Sequence, residues 1–324
     1  MVKNFVSSSI FREYDIRGIV NETLFRNCAY FIGKGFCYQN RKKKIVTIAV
    51  CRDGRLSSPE ISEGLIKGVL DSGVNIIDIG CGPTPMLYFA SISLQVDAAI
   101  MVTGSHNPKN HNGFKIVLKN KSFYGKQIQQ LYQCITNQKF QNGIGKLITK
   151  DLKEDYISEL LKCSGPFPNL KVIWDCGNGA TGEVIAKIVK KIPGKHMVLF
   201  SEIDGNFPNH HPDPTIENNL IHLKNTIKME KADLGISFDG DGDRIGVVSK
   251  DRNLISGDLL TSFLCGSILK KNKNQKIILD VKSSEIAIKS IEAQNGLAVI
   301  SKTGHSLMKE KIKELNAPLA GEMS

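Results

Sequence analysis

The sequence predicts an α/β protein made of consecutive similar α/β domains, with mixed sheets flanked by helices and loops converging on a central cleft. Short apolar, β-branched runs alternate with amphipathic stretches of helical period, which is the pattern of this fold class. Several of these runs end in a polar loop that contains glycine. Ligand sites of open α/β sheets lie at the carboxyl ends of strands, so the loops predict one shared site.

The predicted elements follow one another regularly along the chain. A strand over 45–51 precedes a helix over 59–71 and a strand over 74–79. Further strands are predicted at 97–102, 114–118, 171–175, 196–200, 233–238, 245–249, 276–281 and 297–301, and a helical pattern follows each of the last two. Polar stretches near Lys150 and Asn253 predict domains 1–150, 151–253 and 254–324, the last of them short for a domain.

Composition narrows the class of protein. The 324 residues contain no apolar run long enough to cross a membrane and no recognisable secretory signal. The eight cysteines form no C-x-x-C pair, which is typical of reduced thiols in a cytoplasmic protein. The formal charge of +11 is spread along the chain, and the dense run 41–44 is interpreted as a solvated loop. We therefore expect neither a nucleic-acid nor a membrane partner, and a monomer is the working expectation.

The strongest local signal is the run Asp239-Gly-Asp241-Gly-Asp243-Arg244 after a predicted strand. Glycine permits the backbone curl that brings alternate carboxylates together, and converging oxygen ligands suit Mg²⁺. An EF-hand loop fails here, because its sixth and twelfth positions hold Arg244 and Lys250 instead of glycine and glutamate. A solvated acidic turn is the simpler alternative, but three like charges this close favour a bound cation.

The second signal is the segment 103–108, Thr-Gly-Ser-His-Asn-Pro, after the strand 97–102. A nucleophile elbow is disfavoured because Asn107 stands where that motif requires glycine. A triad with His106 is also disfavoured, since adjacent side chains rarely reach the required geometry. A serine at position 105 that carries a phosphoryl group remains, and on this segment alone a plain turn is an equal alternative.

A third motif, Gly177-x-Gly179-x-x-Gly182 with Glu202 twenty residues later, matches the dinucleotide-binding fingerprint. Two residues separate the strand 171–175 from the first glycine, and a nicotinamide site leaves the two other loops unexplained. A dinucleotide-binding enzyme is therefore kept only as a minor alternative.

Six motifs in order resemble the α-D-phosphohexomutase family, most closely its bacterial phosphomannomutase/phosphoglucomutase branch. The resemblance runs over nearly the whole chain. The motifs are Tyr14-Asp-Ile-Arg17-Gly, the segment 103–108, Asn112-Gly-Phe-Lys115, the segment 239–244, Lys302-Thr-Gly-His305 and Gly321-Glu322-Met-Ser324. The methionine at 323 and the Thr-Gly before the serine favour this branch over phosphoglucosamine mutases.

The resemblance implies interconversion of hexose 1-phosphate and hexose 6-phosphate, with mannose or glucose as the sugar. Phosphorylated Ser105 would phosphorylate the free hydroxyl, and the 1,6-bisphosphate would turn over and return its other phosphate. One Mg²⁺ per chain would be held by Ser105, Asp239, Asp241 and Asp243, and glucose or mannose 1,6-bisphosphate would act as activator.

The resemblance also implies roles for single residues. The catalytic set is completed by His106, Lys115, Arg244 and Arg17: the arginines would steady the phosphoryl group, and Lys115 would move the hydroxyl proton with support from His106. Neighbouring cations are expected to lower the pKa of Lys115 for that task. The substrate-binding positions are Tyr14, Lys282, His305, Glu322 and Ser324.

Glu322 and Ser324 match the family loop that reads the 3- and 4-hydroxyls of the sugar. The 2-position is left unread, so both glucose and mannose are expected substrates. In the family, the loop continues with Gly-His, the rest of a third domain and a fourth domain that grips the distal phosphate. The sequence stops before these segments, so the alternative is a truncated, inactive or weakly active remnant of such an enzyme.

Overall fold

Every apolar run predicted as a strand forms a strand in the computed structural model, which describes residues 6–162 and 168–323. These residues divide into two compact units, one ending at Ile245 and the other beginning at Gly246. The predicted boundary near Lys150 lies inside the first unit, and the boundary near Asn253 lies shortly after the start of the second.

The first sheet of the first unit mixes parallel and antiparallel strands. Its strands in chain order are β1 (Ile16–Ile19), β2 (Thr47–Arg52), β3 (Asn75–Cys81), β4 (Ala98–Val102), β5 (His111–Leu118), β6 (Lys121–Ser122) and β7 (Leu147–Thr149). They lie in the order β1-β5-β4-β2-β3-β7, with β6 beside β5. Strands β4, β2, β3 and β7 are parallel, whereas β5 runs antiparallel to β4, β1 and β6.

Helices cover both faces of this sheet. They are α1 (Arg26–Gln39), α2 (Ser58–Leu70), α3 (Thr84–Ser93), α4 (Lys126–Thr136) and α5 (Lys153–Lys162). Successive side chains of a strand point to opposite faces. Ile48 and Val50 of β2 accordingly join the core that includes residues of α1, α2 and α4, whereas Ala49 and Cys51 join the core that includes residues of α3 and α5. The predicted fold class, with mixed sheets between helices, is confirmed for this part of the chain.

The register of β2 and β4 decides which loops meet. The two strands are parallel, and Arg52 at the end of β2 pairs with Val102 at the end of β4. The following residues, Asp53 and Thr103, therefore leave the sheet at the same edge. The Asp53 N–H donates to the Val102 carbonyl at 2.9 Å, which keeps the two loops side by side.

The first unit also contains a parallel sheet formed by β8 (Lys171–Asp175), β9 (Lys195–Leu199) and β10 (Leu234–Phe238), with β8 in the middle. Helix α6 (Gly182–Ile188) lies between β8 and β9 in the chain, and helix α7 (Ile221–Glu230) lies between β9 and β10. The loops after β8 and β10 leave the same edge of the sheet. They touch there, because the Ala180 N–H donates to the Gly240 carbonyl at 3.0 Å.

The second unit follows the same strand–helix alternation. Its strands are β11 (Ile245–Ser249, starting at the last residue of the first unit), β12 (Leu254–Ile255), β13 (Lys276–Asp280), β14 (Leu297–Ser301) and β15 (Leu319–Gly321), and its helices are α8 (Gly257–Leu269), α9 (Glu285–Ala293) and α10 (His305–Leu315). Strand β13 lies between β14 and β15 and is parallel to both.

The predicted elements differ from the observed ones mainly at their ends. The strand predicted at 114–118 starts at His111, because its antiparallel partner β1 pairs Ile19 with His111. Strand β1 was not predicted, since its four residues include an arginine and a glycine. Helix α1 was also not predicted; it has two glycines, and Gly33 allows it to pack closely on α2, since a Cβ there would lie 2.6 Å from the Leu65 carbonyl oxygen.

Within the described ranges, no helix combines the length and the apolar character needed to cross a bilayer. The seven cysteines in those ranges are free thiols, and most of them are buried. Cys163 lies outside the described residues.

Candidate active site

The loop after β4 carries Ser105, and a buried carboxylate after the neighbouring strand β2 fixes its start. Asp53 accepts hydrogen bonds from the Thr103 hydroxyl at 2.8 Å and from the Gly104 N–H at 3.0 Å. The Thr103 hydroxyl oxygen accepts a third bond, from the Ser105 N–H at 2.7 Å. Asp53 therefore ties the first residues of this serine loop (residues 103–108) to the end of β2.

Arg55 holds the same loop through its main-chain carbonyls. Its side chain is completely enclosed, and its Nε donates to Asp53 at 3.2 Å. The two terminal nitrogens donate, over 2.6 to 3.1 Å, to the carbonyls of Ser105, Asn107, Pro108 and His111. The rigid fork of a guanidinium matches such a set of acceptors. Arg55 thus fixes the loop from its centre to its end.

The backbone of Ser105 needs such support. Its φ of +51° lies in the left-handed region, which residues with a side chain adopt less readily than glycine. In this conformation the Ser105 Oγ lies 2.7 Å from Oδ2 of Asp239 and 3.2 Å from Nδ1 of His106. The structure therefore brings together the two loops that the sequence singled out.

Replacing Arg55 by leucine is expected to destabilise the first unit by about 3–5 kcal/mol, because it leaves the buried Asp53 without its counter-ion and several carbonyls without donors. Urea unfolding of both proteins measures the difference. The control is Arg26→Leu, which breaks an ion pair whose side chains are 51% and 64% exposed, so its cost should stay below about 1 kcal/mol. Equal losses in the two variants would contradict the role given to Arg55.

Asp239, Asp241 and Asp243 form the predicted acidic cluster in the loop after β10. One carboxylate oxygen from each lies within 4.8 Å of the others. The curl depends on Gly242, whose φ is +70°. Oδ1 of Asp239 accepts the N–H groups of Asp243 and Arg244 at 3.0 and 3.1 Å, which closes the loop on itself. The arrangement is the one that the alternating sequence predicts.

The oxygens of this cluster suit a hard cation. Asp239 and Asp241 are completely buried. Within the described part of the chain, Oδ1 of Asp241 is a buried oxygen with no hydrogen-bond partner, although buried polar atoms are normally satisfied. Burial, together with the charges of Asp241 and Asp243, raises the pKa of Asp239 well above its ordinary value. An unsatisfied oxygen among crowded carboxylates fits a divalent ion with oxygen ligands.

Lys115 of β5 lies against this cluster. Its Nζ is 2.7 Å from Asp241 and 2.5 Å from Asp243, and Thr84 donates to the same Asp241 oxygen at 2.6 Å. The expectation that neighbouring cations lower the pKa of Lys115 is wrong for this arrangement. Burial by itself does lower it, but the charges of Asp241 and Asp243 raise the pKa of Lys115 overall.

The surroundings of His106 lower its pKa, whereas those of Lys115 raise the pKa of that lysine. Burial and then the positive charges of Arg244 and Arg17 lower the pKa of His106 to about 4. Its imidazole is therefore neutral near neutral pH, and one ring nitrogen is able to accept a proton. Because its Nδ1 is 3.2 Å from the Ser105 hydroxyl, His106 lies close enough to exchange a proton with it.

Arg17 is largely buried beside the serine loop. It pairs with Asp15 at 2.5 Å, and its Nε lies 3.1 Å from the amide oxygen of Asn107 when that amide is oriented to satisfy both groups. Arg244 is half-buried and follows the acidic cluster directly. Tyr14 is half-buried and lies two residues before β1. The structure thus places both predicted arginines near the serine, as their effect on His106 indicates.

The remaining predicted residues lie in the second unit, around the buried Asp280 at the end of β13. Asp280 accepts hydrogen bonds from the hydroxyls of Ser283 and Thr303 at 3.0 and 3.1 Å and from the N–H groups of Lys282 and Met323 at 3.3 and 3.4 Å. Glu322 accepts a bond from the Gly304 N–H. His305 is the first residue of α10, and Ser324 lies outside the described residues.

Sequence reasoning missed several supporting residues, namely Asp53, Arg55, Thr84 and Asp280. Asp53 directly follows β2, and Asp280 is the last residue of β13. Both therefore lie at the carboxyl end of an apolar strand, which is the position that identified the serine loop as a candidate site. Thr84, which lies at the start of α3, offers no such signal. Its contact with Asp241 depends on residues 157 positions apart.

The glycine-rich motif does not form an open phosphate-binding turn. In a dinucleotide site, the second glycine leaves room for a pyrophosphate. Here the loop that carries the acidic cluster (the metal loop, residues 239–244) occupies that room: a Cβ on Gly179 would lie 2.9 Å from the Gly240 carbonyl oxygen. The same carbonyl already accepts the Ala180 N–H. The geometry therefore disfavours the dinucleotide alternative.

Family comparison agrees with these motifs over almost the whole chain. Residues 8–142, 154–253 and 256–324 match, in order, the alpha/beta/alpha domains I, II and III of phosphoglucomutase/phosphomannomutase. The match includes the serine loop, the metal loop and the loop of Glu322.

Individual relatives carry matching names. A phosphomannomutase/phosphoglucomutase of Pseudomonas aeruginosa is 42% identical over 98% of this chain and 68% of its own length. A phosphoglucomutase of Neisseria gonorrhoeae is 40% identical over 98% of this chain and 70% of its own length. The crystal structure of a phosphoglucomutase/phosphomannomutase family protein from Burkholderia thailandensis superposes with a TM-score of 0.94 at 40% identity, covering 98% of this chain and 71% of that one.

Proposed function

The chain belongs to the phosphoglucomutase/phosphomannomutase family and is a phosphohexose mutase, and from that premise we propose how its residues carry the reaction. The Ser105 oxygen carries the phosphoryl group, donates it to the sugar and accepts it back. One observation supports this assignment above all others: the Ser105 Oγ lies 2.7 Å from Asp239, inside a loop that gathers three carboxylates.

The proposed reaction has two transfers. First, the free hydroxyl of hexose 1-phosphate attacks phosphorylated Ser105; the serine O–P bond breaks, a new O–P bond forms at position 6, and the hydroxyl proton leaves to the protein. The 1,6-bisphosphate then presents its other end: the Ser105 oxygen forms a bond to the phosphorus at position 1, the bond from that phosphorus to O1 breaks, and the proton held by the protein returns to O1. Hexose 6-phosphate and phosphorylated Ser105 remain, so atoms and charges balance without any other reactant.

Positioning and charge neutralisation dominate such transfers. Ser105, Asp239, Asp241 and Asp243 would hold one Mg²⁺, which would neutralise the carboxylates and so remove the charges that raise the pKa of Lys115. With those charges neutralised, Lys115 accepts the proton of the sugar hydroxyl. Neutral His106, which lies beside Ser105, assists this proton transfer. Free glucose or mannose 1,6-bisphosphate would phosphorylate Ser105 and so act as activator.

Arg17 and Arg244 are proposed to steady the phosphoryl group, because both are close enough to His106 to lower its pKa. Tyr14, Lys282, His305, Glu322 and Ser324 are proposed substrate contacts on the basis of the family motifs. Contacts confined to the 3- and 4-hydroxyls leave position 2 unread, so glucose and mannose phosphates are both proposed substrates.

The first test is conversion of glucose 1-phosphate and of mannose 1-phosphate to their 6-phosphates, with Mg²⁺ and a trace of the matching 1,6-bisphosphate. We expect conversion of both sugars, and strong dependence on the bisphosphate when the protein starts without phosphate. Conversion of one sugar alone would contradict the specificity proposal but leave the serine mechanism standing. Full activity without phosphate on the protein and without bisphosphate would contradict the mechanism.

A cytoplasmic location is proposed as well, supported by the free thiols of the described cysteines. The oligomeric state stays a prediction from the sequence.

A further inference from the structure

The glycine-rich loop after β8 and the segment Asn209–Asp213 have no part in the reaction described so far. Both belong to the first unit, and both lie against the serine and metal loops. A Cβ on Gly177 would lie 3.1 Å from the Pro212 Cβ and 3.3 Å from the His210 ring. A Cβ on Gly240 would lie 2.7 Å from the Ser105 carbonyl oxygen. The glycine-rich loop therefore packs against the side chains of the segment 209–213, and the metal loop packs against the main chain of the serine loop, so a larger residue at either glycine would not fit without a shift.

Within this packing, His210 is held at both ring nitrogens. Its Nε2 lies 3.0 Å from both oxygens of Asp175, and its Nδ1 lies 3.0 Å from the His211 carbonyl. A carbonyl only accepts, and an ionised carboxylate only accepts, so both nitrogens carry protons. Asp175 is completely buried and the His210 side chain is 7% exposed. The pair is a buried imidazolium–carboxylate contact.

The protonation of His210 fits this geometry. Burial by itself lowers the pKa of His210, but the hydrogen bond and the charge of Asp175 raise it above its ordinary value overall. The charged ring in turn donates to the main chain of His211. The position of the next residue is therefore fixed by a contact that water does not reach easily.

His211 connects the Asp175–His210 pair to the serine loop through a hydrogen bond. Its Nε2 lies 2.6 Å from the His106 carbonyl, which accepts the ring N–H. Arg55 donates to the carbonyls on either side, those of Ser105 and Asn107. Three successive carbonyls of the serine loop are thus bound by side chains, two by Arg55 after β2 and one by His211 after β9. Removing the His211 donor frees the middle one.

We propose that His211, itself held by the Asp175–His210 pair, is a positioning residue that fixes the main chain around Ser105 for phosphoryl transfer. The proposal rests on the function proposed above. Phosphoryl transfer depends on alignment of the attacking and leaving oxygens, and misplacement by about 1 Å can cost about 100-fold in rate. The sugar and its phosphate do not touch His211 in this account, so binding should change little.

The kinetic test compares His211→Leu with His211→Gln in the mutase assay. Leucine removes the donor, and we expect kcat to fall by about 10- to 100-fold, whereas KM should change by less than about threefold. Glutamine presents an N–H at the place of Nε2 and should restore most of the rate. The control is His196→Leu, which makes the same change at a half-buried histidine whose ring contacts Trp174 and Pro193.

Two polar variants, His211→Asn and His211→Gln, test the proposal even if His211→Leu does not fold. His211→Asn has the same chemistry as His211→Gln but is one bond shorter, so it should lose the contact and the rate. If the asparagine and glutamine variants have equal kcat, or if His211→Leu is as active as His196→Leu, the proposal is overturned. A change confined to KM would also overturn it, because it would place His211 in substrate binding.

Amide hydrogen exchange separates this proposal from the mutase mechanism. The N–H groups of Ser105 and Asn107 are both hydrogen-bonded inside the serine loop, so their exchange reports its restraint. We expect faster exchange of the N–H groups of residues 104–107 in the leucine and asparagine variants and normal exchange with glutamine. Unchanged exchange in all three variants overturns the positioning role whatever the activity. A wild-type protein that exchanges as expected but converts no hexose phosphate would instead contradict the proposed function.

Discussion

Replacing Ser105 by alanine is expected to reduce mutase activity by roughly 10⁴-fold or more, because the oxygen that carries the phosphoryl group is removed. Coupled measurement of glucose 6-phosphate formation detects this loss directly. The fold should survive, since the change removes one hydroxyl whose bond to Asp239 contributes on the order of 1 kcal/mol. Alanine also retains the Ser105 N–H and carbonyl, which bind Thr103 and Arg55.

The matched control for this prediction is Ser93→Ala. Ser93 is exposed at the end of α3, so its replacement should leave both activity and stability unchanged. If the alanine variant at position 105 keeps a rate within tenfold of the wild type, another residue carries the phosphoryl group. Bisphosphate added in excess should not rescue the variant, because it has no oxygen to phosphorylate.

Adding Mg²⁺ is expected to raise the unfolding temperature of the wild type but not of Asp241→Asn. A ligand that binds only the folded state at 100 times its Kd stabilises by about 2.7 kcal/mol. Asp241 contributes a buried oxygen without a hydrogen-bond partner, so the amide should weaken binding of the cation and reduce kcat by at least about 100-fold. Thermal unfolding with and without Mg²⁺ measures the binding of the ion without depending on the mutase reaction.

Asp155→Asn is the control for this experiment, because Asp155 is an exposed acid of α5 that lies outside the acidic cluster. It should retain the full response to Mg²⁺. The alternative is that the Lys115 ammonium alone balances the cluster, as its short contacts with Asp241 and Asp243 permit. In that case Mg²⁺ would leave the unfolding temperature of the wild type unchanged, and the metal assignment would be wrong.

The fold class could be predicted because the buried strands are short, apolar and regularly spaced. Strand β4 is an example: its five residues are all buried, and its sequence is apolar throughout. Strand β1 and helix α1 were missed because tertiary contacts, and not local pattern, stabilise them. Helix α1 contains two glycines that weaken its intrinsic preference, and one of them, Gly33, allows close packing on α2.

The candidate site was predictable where the chemistry is local. Three acids at alternate positions can hold a cation whatever surrounds them, and their convergence was expected from the sequence. The role of Arg55 was not predictable, because it depends on the pairing of β2 with β4. The pKa of Lys115 was predicted in the wrong direction for a related reason. Its neighbours are carboxylates from a loop about 126 residues away, and no local pattern reveals them.

The most direct test of the account is a single-turnover measurement of the phosphate on Ser105. The chain is first phosphorylated with glucose 1,6-bisphosphate, freed of excess bisphosphate, and mixed with glucose 1-phosphate and Mg²⁺. Mass spectrometry then follows the peptide that contains Ser105. The account predicts that this peptide loses one phosphoryl group as an equal amount of 1,6-bisphosphate appears, before 6-phosphate accumulates and the phosphoryl group returns. Formation of glucose 6-phosphate while the Ser105 peptide stays unmodified, or with the phosphate on another residue, would contradict it.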